Sequence, residues 1–99
     1  MIARIWHGLT LAEKADDYLA FLRARAVPDY QATPGNLSVE ILHRTEGALT
    51  HYLVVTRWSS VEAIAAFAGE DIARARYYPE DRRFLLEFEP TVEHFTVAP

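Results

Sequence analysis

Three side chains of this 99-residue chain are the best candidates for chemistry: one histidine and two adjacent tyrosines. His7 ends a short run of β-branched and aromatic residues, and an unperturbed imidazole changes charge near neutral pH, so His7 is the candidate general base. The alternative is a strand-end histidine that is hydrogen-bonded to a neighbouring loop. Tyr77 and Tyr78 precede Pro79 and cannot both be buried in the same way, so one ring is free to offer its hydroxyl to a pocket.

A second group of side chains is suited to contacting a ligand. These candidates are cationic, aromatic or imidazole residues: Arg4, Trp6, Trp58, Phe67 and His94. Arg4 alternates with Ile2 and Trp6, so it either points into a cavity to hold an anionic substrate or enolate, or forms a salt bridge in a dimer. Structural alternatives exist for the others: Trp58 packs back onto the helix that follows it, Phe67 belongs to the core, and His94 lies at a dimer interface.

Two acidic pairs, Glu70-Asp71 and Glu80-Asp81, have the composition of paired catalytic carboxylates. Each pair is expected at the start of a helical segment, where acids offset the helix dipole. His43 closes a strand and His51 opens one, and both are expected to face solvent. No histidines stand at helical spacing and no carboxylate accompanies them in a ligand pattern, so no metal site is predicted.

Composition restricts the class of protein. The length and the 51% hydrophobic content predict one globular domain, residues 1–99. The absence of cysteine excludes disulfides, thiolate metal sites and cysteine nucleophiles. A net charge of −4 with scattered basic residues disfavours nucleic-acid binding. No apolar run approaches the roughly 18 residues of a membrane span and no signal peptide is evident, so we expect a cytoplasmic protein without a membrane partner.

The first half of the chain predicts a strand, a helix and a second strand. A strand is expected over residues 2–8 and a helix over 11–26, opened by a capping box between Thr10 and Glu13 and ended by Pro28. A loop over 29–35 follows. Alternating apolar residues predict a strand over 36–44, with a hairpin turn at Glu46-Gly47.

The second half continues with a strand over 50–58 and a helix opened by a capping box between Ser59 and Glu62. Gly69 ends that helix, further helical turns are expected over 70–76, and Pro79 starts a short helix. A last strand is expected over 91–97. The order β-α-β-β-α-β predicts an α+β, ferredoxin-like fold with an antiparallel sheet.

The topology, the strand end at His7-Gly8-Leu9-Thr10 and the segment Thr56–Ala63 (TRWSSVEA) resemble the antibiotic biosynthesis monooxygenase superfamily of dimeric α+β barrels. The resemblance covers nearly the whole chain, and the stretch from Phe67 to Asp81 is similar to a signature of small members. It implies that two chains pair their sheets into a barrel. Val54 and Val55 point to opposite sheet faces and both are apolar, so the face without helices needs a partner, and a homodimer is expected.

The resemblance implies one of two chemistries. Some members oxidise electron-rich hydroxyaromatics to quinones without metal or flavin, because the deprotonated substrate itself reacts with oxygen. Others degrade haem, using an Asn, a Trp and a His ligand at positions that match His7, Phe67 and Tyr77 or Tyr78, and all of these depart from the haem pattern. We therefore expect a monooxygenase-like protein that needs no cofactor and acts on a small aromatic or polyketide-like compound. A non-enzymatic small-ligand-binding or stress-related dimer is the alternative, and haem binding or degradation is the third.

Overall fold

One four-stranded antiparallel sheet forms the centre of the structure, a computed structural model that describes residues 1–99. Its strands lie in the order β2-β3-β1-β4 and comprise β1 (Ile2–Leu11), β2 (Asn36–Glu46), β3 (Leu49–Trp58) and β4 (Glu93–Thr96). The helices are α1 (Ala15–Phe21), α2 (Val27–Ala32) and α3 (Val61–Ala68), with a π-helical segment Leu22–Ala26 and 3-10 turns at Ala12–Lys14 and Pro79–Arg83. The predicted ferredoxin-like α+β fold is confirmed. None of these helices has both the length and the apolar character required to cross a membrane.

The strand register divides the side chains between two faces of the sheet. Trp6 pairs with Val54 and His7 with Leu53. Because successive side chains alternate, Trp6 and Val54 face the helices and are buried, whereas His7 and Leu53 lie on the opposite side. We call that side the open face; it carries Ala3, Ile5, His7, Leu42, Arg44, His51, Leu53, Val55 and Phe95.

The core lies between the helices and the sheet and is largely aromatic. Trp58, Tyr18, Tyr52 and Ile64 have no exposed surface. The ring centroids of Tyr18 and Tyr52 are 5.0 Å apart in an edge-to-face arrangement, a favoured geometry for aromatic pairs. This packing fixes α1 against β3 and leaves the open face without helical cover.

Thr10 does not cap the first helix, contrary to the prediction. β1 continues to Leu11, and the buried Thr10 hydroxyl is 2.9 Å from the Tyr52 hydroxyl on the neighbouring strand. The Ser/Thr-x-x-Glu pattern is therefore fortuitous here, because pairing with β3 along its whole length outweighs the local capping interaction.

The prediction that Pro28 ends the first helix is also wrong. Helical backbone runs through Pro28 to Ala32, since the preceding segment is π-helical and the Val27 N–H donates to the Leu22 carbonyl, five residues back. Proline normally lacks one helix bond and its ring collides with a carbonyl of the preceding turn. Widening that turn to a π-helix moves the carbonyls and lets the helix continue.

The second half of the chain differs from the prediction at three places. Ser60, not Ser59, caps α3, with its side chain accepting from the Ala63 N–H at 3.1 Å. Gly69 ends α3 as predicted, with φ +95°. Residues 70–76 form an irregular segment with one turn and an isolated bridge from Arg74 to Thr91, not a helix, so Glu70 and Asp71 have no helix dipole to offset. The last strand is shorter than predicted, because only residues 93–96 pair with β1.

Candidate functional site

A cavity of about 200 Å³ lies on the open face, towards the hairpin that joins β2 to β3. It is lined by His7, Leu42, His43, Arg44, His51 and Leu53. The register explains how they meet: Leu53 stands between His7 and Leu42, and Arg44 stands opposite His51. Directly opposed and diagonal side chains on one sheet face are close enough to touch. The cavity therefore combines apolar walls with imidazole and guanidinium groups.

His7 is hydrogen-bonded on both ring nitrogens. Its Nδ1 contacts a carboxylate oxygen of Glu89, and its Nε2 is 3.1 Å from Nδ1 of His51. The two rings have centroids 5.4 Å apart and are tilted by 32°. His7 is half-buried, with 31% of its side chain exposed, so a small molecule in the cavity has access to this pair. We call Glu89, His7 and His51 the imidazole chain.

Tyr77 holds the backbone of Glu89 in position. Its hydroxyl donates to the Glu89 backbone carbonyl at 2.6 Å, and its ring packs edge-to-face on Trp6 with centroids 6.0 Å apart. Burial, and then the nearby Glu89 carboxylate, raise the pKa of Tyr77, so its hydroxyl stays protonated as a donor. Tyr77 thus reaches the imidazole chain only through Glu89.

A second, much smaller cavity of about 20 Å³ lies on the helix side of the sheet. Its lining includes Trp6, Tyr18, Tyr30, Tyr78 and Asp81. This volume is close to that of a single water site. The buried indole N–H of Trp6 makes no hydrogen bond of ordinary geometry within the chain, which is uncommon for a buried donor. It lies close enough to the Tyr77 hydroxyl to oppose the rise in the pKa of Tyr77. The helix side therefore has an available donor but no space for a substrate.

Two tyrosine–carboxylate bonds hold the segment over this small cavity. The Tyr18 hydroxyl donates to Asp81 at 2.9 Å, and the Tyr78 hydroxyl donates to Asp29 at 2.7 Å. The Asp81 carboxylate also accepts from the Tyr78 backbone N–H at 2.7 Å. Burial raises the pKa of Asp81, whereas the bonds from Tyr78 and Tyr18 oppose the rise. Asp81 does lie in the first turn of a short helix as predicted, but its contacts are those of a buried structural carboxylate.

Arg4 is buried on the helix side, and its guanidinium is engaged by the protein itself. It donates to the backbone carbonyls of Ile72 and Arg74 and lies 3.1 Å from Nε2 of His94. Burial lowers the pKa of Arg4, and burial together with the Arg4 charge lowers the pKa of His94. A neutral His94 accepts from Arg4. Neither residue lines either of the two cavities described above.

Trp58 and Phe67 pack in the core and line neither cavity. The Trp58 indole N–H donates to the Thr56 hydroxyl at 2.8 Å, and the Phe67 ring stacks on Tyr30 with centroids 4.4 Å apart. Of the eight residues singled out from the sequence, His7 alone lines the open-face cavity, and Trp6 and Tyr78 line the small one.

Sequence reasoning set His51 aside and overlooked Glu89. The signal for His51 was available, because alternation along β3 places His51 on the same face as Leu53 and Val55. Glu89 lies outside any regular element, and nothing local indicated it. Across residues 1–99, no group of three or more histidine, aspartate or glutamate side chains is arranged to hold a metal ion.

The chain is a small α+β domain, in which a ferredoxin-like sheet carries helices on one face and a histidine-lined cavity on the other. This fold does not by itself specify a function. The sequence model of the family described as "Antibiotic biosynthesis monooxygenase" matches residues 9–76. The chain belongs to the antibiotic biosynthesis monooxygenase family, which confirms the resemblance.

Two solved structures have a similar fold. One is a point mutant of the protein MhuD with two manganese protoporphyrin IX molecules bound per active site, with a TM-score of 0.64 and 23% identity over 100% of this chain and 96% of that one. The other is the haem degrader MhuD from Mycobacterium tuberculosis with two haems bound in its active site, with a TM-score of 0.62 and 23% identity over 100% and 97% of the two chains. At this identity the likeness is one of fold. No curated protein matches the sequence.

Proposed function

We propose that the protein is a cofactor-independent, monooxygenase-like enzyme that oxidises a small hydroxyaromatic or polyketide-like compound. The observation that carries this proposal is the half-buried His7–His51 pair, backed by Glu89, at the wall of the open-face cavity. General bases are most often histidines placed within reach of the substrate's proton. Family membership supports the monooxygenase class.

The cavity contains the three parts that this reaction needs. Leu42 and Leu53 form apolar walls for an aromatic ring, the imidazole pair accepts the proton, and Arg44, although it is paired with Glu46 at 2.6 Å, is the cation at the cavity wall nearest to the resulting anion. The electron-rich phenolate then reacts with dioxygen. The substrate supplies all the electrons: one oxygen atom becomes the new carbonyl of the quinone, and the other leaves as water.

A homodimer is part of this proposal, because the open face carries apolar side chains that water would otherwise contact. Leu42, Leu53 and Phe95 are 45%, 36% and 52% exposed. Exposed apolar patches on a sheet face commonly mark an interface. A second copy placed there would also close the cavity, which at about 200 Å³ is smaller than the 300–1,000 Å³ typical of ligand clefts.

Oxygen uptake measured with a panel of dihydroxyaromatic compounds tests the enzymatic proposal. We expect uptake that is lowered in His7→Ala and retained in Glu87→Ala, which changes an exposed glutamate two residues from Glu89. Uptake by His7→Ala equal to that of the unchanged protein would refute the assignment.

Light scattering tests the dimer. We expect twice the chain mass of 11.3 kDa for the unchanged protein and the mass of one chain for Leu53→Lys. Val61→Lys, which changes an exposed apolar residue away from the open face, should remain a dimer.

A non-enzymatic, small-ligand-binding dimer is the second candidate. The open-face cavity favours it, since its apolar and imidazole lining can hold a small ligand without any oxidation step. Ligand binding without turnover would raise the melting temperature while the compound stays intact. A thermal-shift screen followed by recovery of the bound compound separates this function from oxidation.

Haem binding is the function that the structural neighbours suggest, and the two cavities of the single chain described above do not provide space for a haem. The helix-side cavity holds about 20 Å³ and the open-face cavity about 200 Å³, both below the range of clefts for drug-sized ligands. We expect no Soret shift when the protein is titrated with hemin. A saturable shift would favour haem binding over the hydroxyaromatic oxidation.

A further inference from the structure

The order of hydrogen-bond donors and acceptors along the imidazole chain identifies the group that would take the substrate's proton. We propose that His51, and not His7, is the general base, and that Glu89 and His7 are positioning residues that keep the Nε2 lone pair of His51 free. This inference rests on the proposed function, and it names the reacting group within the same cavity.

With Glu89 ionised and both histidines neutral, the two hydrogen bonds assign one proton to each ring. An ionised Glu89 carboxylate only accepts, so the His7 nitrogen that contacts it, Nδ1, carries a hydrogen. A neutral His7 then has a bare Nε2, which accepts from Nδ1 of His51 across 3.1 Å. A neutral His51 protonated at Nδ1 has its lone pair on Nε2, and that nitrogen makes no hydrogen bond within the chain. Which nitrogen is protonated is set by the bond that the other one makes.

The surroundings of His51 suit this role better than those of His7. Both ring nitrogens of His7 are occupied, whereas His51 has a free one and lines the cavity. The Tyr77 hydroxyl donates to the backbone carbonyl of Glu89 at 2.6 Å, so the Glu89 end of the imidazole chain is fixed to the rest of the protein. Tyr77, first considered for catalysis, therefore acts as a support for Glu89.

The proton step balances within the imidazole chain. The phenolic O–H bond breaks, an N–H bond forms at Nε2 of His51, and the substrate becomes a phenolate while His51 becomes an imidazolium. The imidazolium keeps its Nδ1–H bond to His7 and is stabilised by the negative charge of the Glu89 carboxylate at the other end of the imidazole chain. Arg44, opposite His51 in the register and paired with Glu46, lies at the same cavity wall. Acid–base arrangements of this kind orient a base by a second and a third group.

Nuclear magnetic resonance on the full chain tests the inference without a substrate. Long-range correlation of ring protons with ring nitrogens reports the tautomer of each ¹⁵N-labelled histidine. We expect His7 and His51 to be protonated at Nδ1, the reverse of the preference of free histidine in water. A His51 ring protonated at Nε2 in the unchanged protein would overturn the proposal.

Two variants test the role of the carboxylate. In Glu89→Ala we expect both rings to return to the Nε2-protonated form, whereas Glu87→Ala leaves the spectrum unchanged. An unaltered tautomer of both histidines in Glu89→Ala overturns the assignment of Glu89 as a positioning residue. The measurement on the unchanged protein needs no variant, so it remains decisive if Glu89→Ala fails to fold.

Kinetics on any compound that is turned over separate the two histidines. We expect His51→Ala to lose about 100-fold or more in kcat, the ordinary contribution of a general base, and added imidazole to restore part of it. His7→Ala should lower kcat less and leave KM unchanged. A His51→Ala variant with full kcat overturns the inference but leaves the proposed function intact. If no compound is oxidised, the proposed function fails, while the tautomers still decide whether the imidazole chain exists.

Discussion

The hydrogen bond between Tyr18 and Asp81 should be the strongest polar contribution to holding residues 77–84 against the helices. The Tyr18 hydroxyl donates to Asp81 at 2.9 Å, Tyr18 has no exposed surface and Asp81 is 2% exposed. Water therefore cannot replace either partner when the other is removed. Tyr18→Phe deletes this one bond while it keeps the ring, which packs on Tyr52.

The expected magnitude follows from the charge of the acceptor. A hydrogen bond to an ionised group contributes about 1.5–3 kcal/mol, so Tyr18→Phe should lower the free energy of unfolding by that amount. Asp81→Ala should cost more, because it also removes the acceptor of the Tyr78 backbone N–H. In the double variant the shared bond is lost once, so the coupling energy should be about 1.5–3 kcal/mol.

The effect of Tyr18→Phe on the free energy of unfolding should depend on pH, because Asp81 is titratable. Burial raises the pKa of Asp81 from 3.8, so the folded state binds a proton more readily than the unfolded state. The contribution of Asp81 to stability is therefore largest below pH 3.8, and it falls as the pH rises through the folded pKa. The bond from Tyr18 opposes this rise in pKa. Tyr18→Phe raises the folded pKa further, and its destabilisation should therefore grow from about pH 4 towards pH 8.

Urea unfolding of the four proteins of the cycle, at both pH values, measures these quantities. Tyr30→Phe is the matched control: the Tyr30 hydroxyl makes no hydrogen bond within the chain, although burial raises the pKa of Tyr30 to about 12. We expect the control to change stability by less than about 0.5 kcal/mol, as substitutions away from specific contacts do. Additive single-variant effects within about 0.5 kcal/mol, or an equal cost for Tyr30→Phe, would refute the reasoning.

Two further substitutions test local details of the fold by urea unfolding. Ser60→Ala removes the cap that accepts from the Ala63 N–H and should cost about 1 kcal/mol, whereas Ser59→Ala should cost little; the opposite ranking would favour the cap predicted from the sequence. Gly8→Ala would place a Cβ 2.3 Å from the Trp6 ring and should cost about 1–3 kcal/mol, and an unchanged midpoint would contradict the close packing of that strand on the indole.

The fold could be predicted because its signals are local and repeated. Apolar alternation marks β2 and β3, and Gly47, at φ +60°, suits the turn that joins them. The boundaries that were predicted wrongly depend on tertiary contacts. Thr10 stays in a strand because β3 offers it a partner, and Pro28 stays in a helix because the turn before it widens.

The candidate site was only half predictable for the same reason. His7 stands out in the sequence as a titratable group at a strand end. His51 joins it only through the β1–β3 register, in which His7 faces Leu53 and His51 lies two residues before Leu53 in β3. Glu89 arrives through a contact that no spacing indicates: the Leu86 N–H donates to the Leu9 carbonyl at 2.9 Å, which brings the following residues beside the end of β1.

The two faces of the sheet differ in how they satisfy their polar groups, and this difference bears on where chemistry can occur. On the helix side, apart from the Trp6 indole N–H, the protein bonds its own buried polar side chains: Arg4 donates to backbone carbonyls and Tyr18 donates to Asp81. The remaining cavity there holds about 20 Å³. On the open face, His51 keeps a free nitrogen beside apolar side chains that are still exposed. Covering that face with a second chain would exclude water and strengthen each electrostatic interaction within the imidazole chain. If the proposed base works only in the dimer, dissociation by Phe95→Lys, a change on the open face outside the cavity lining, should lower both the turnover and the measured mass.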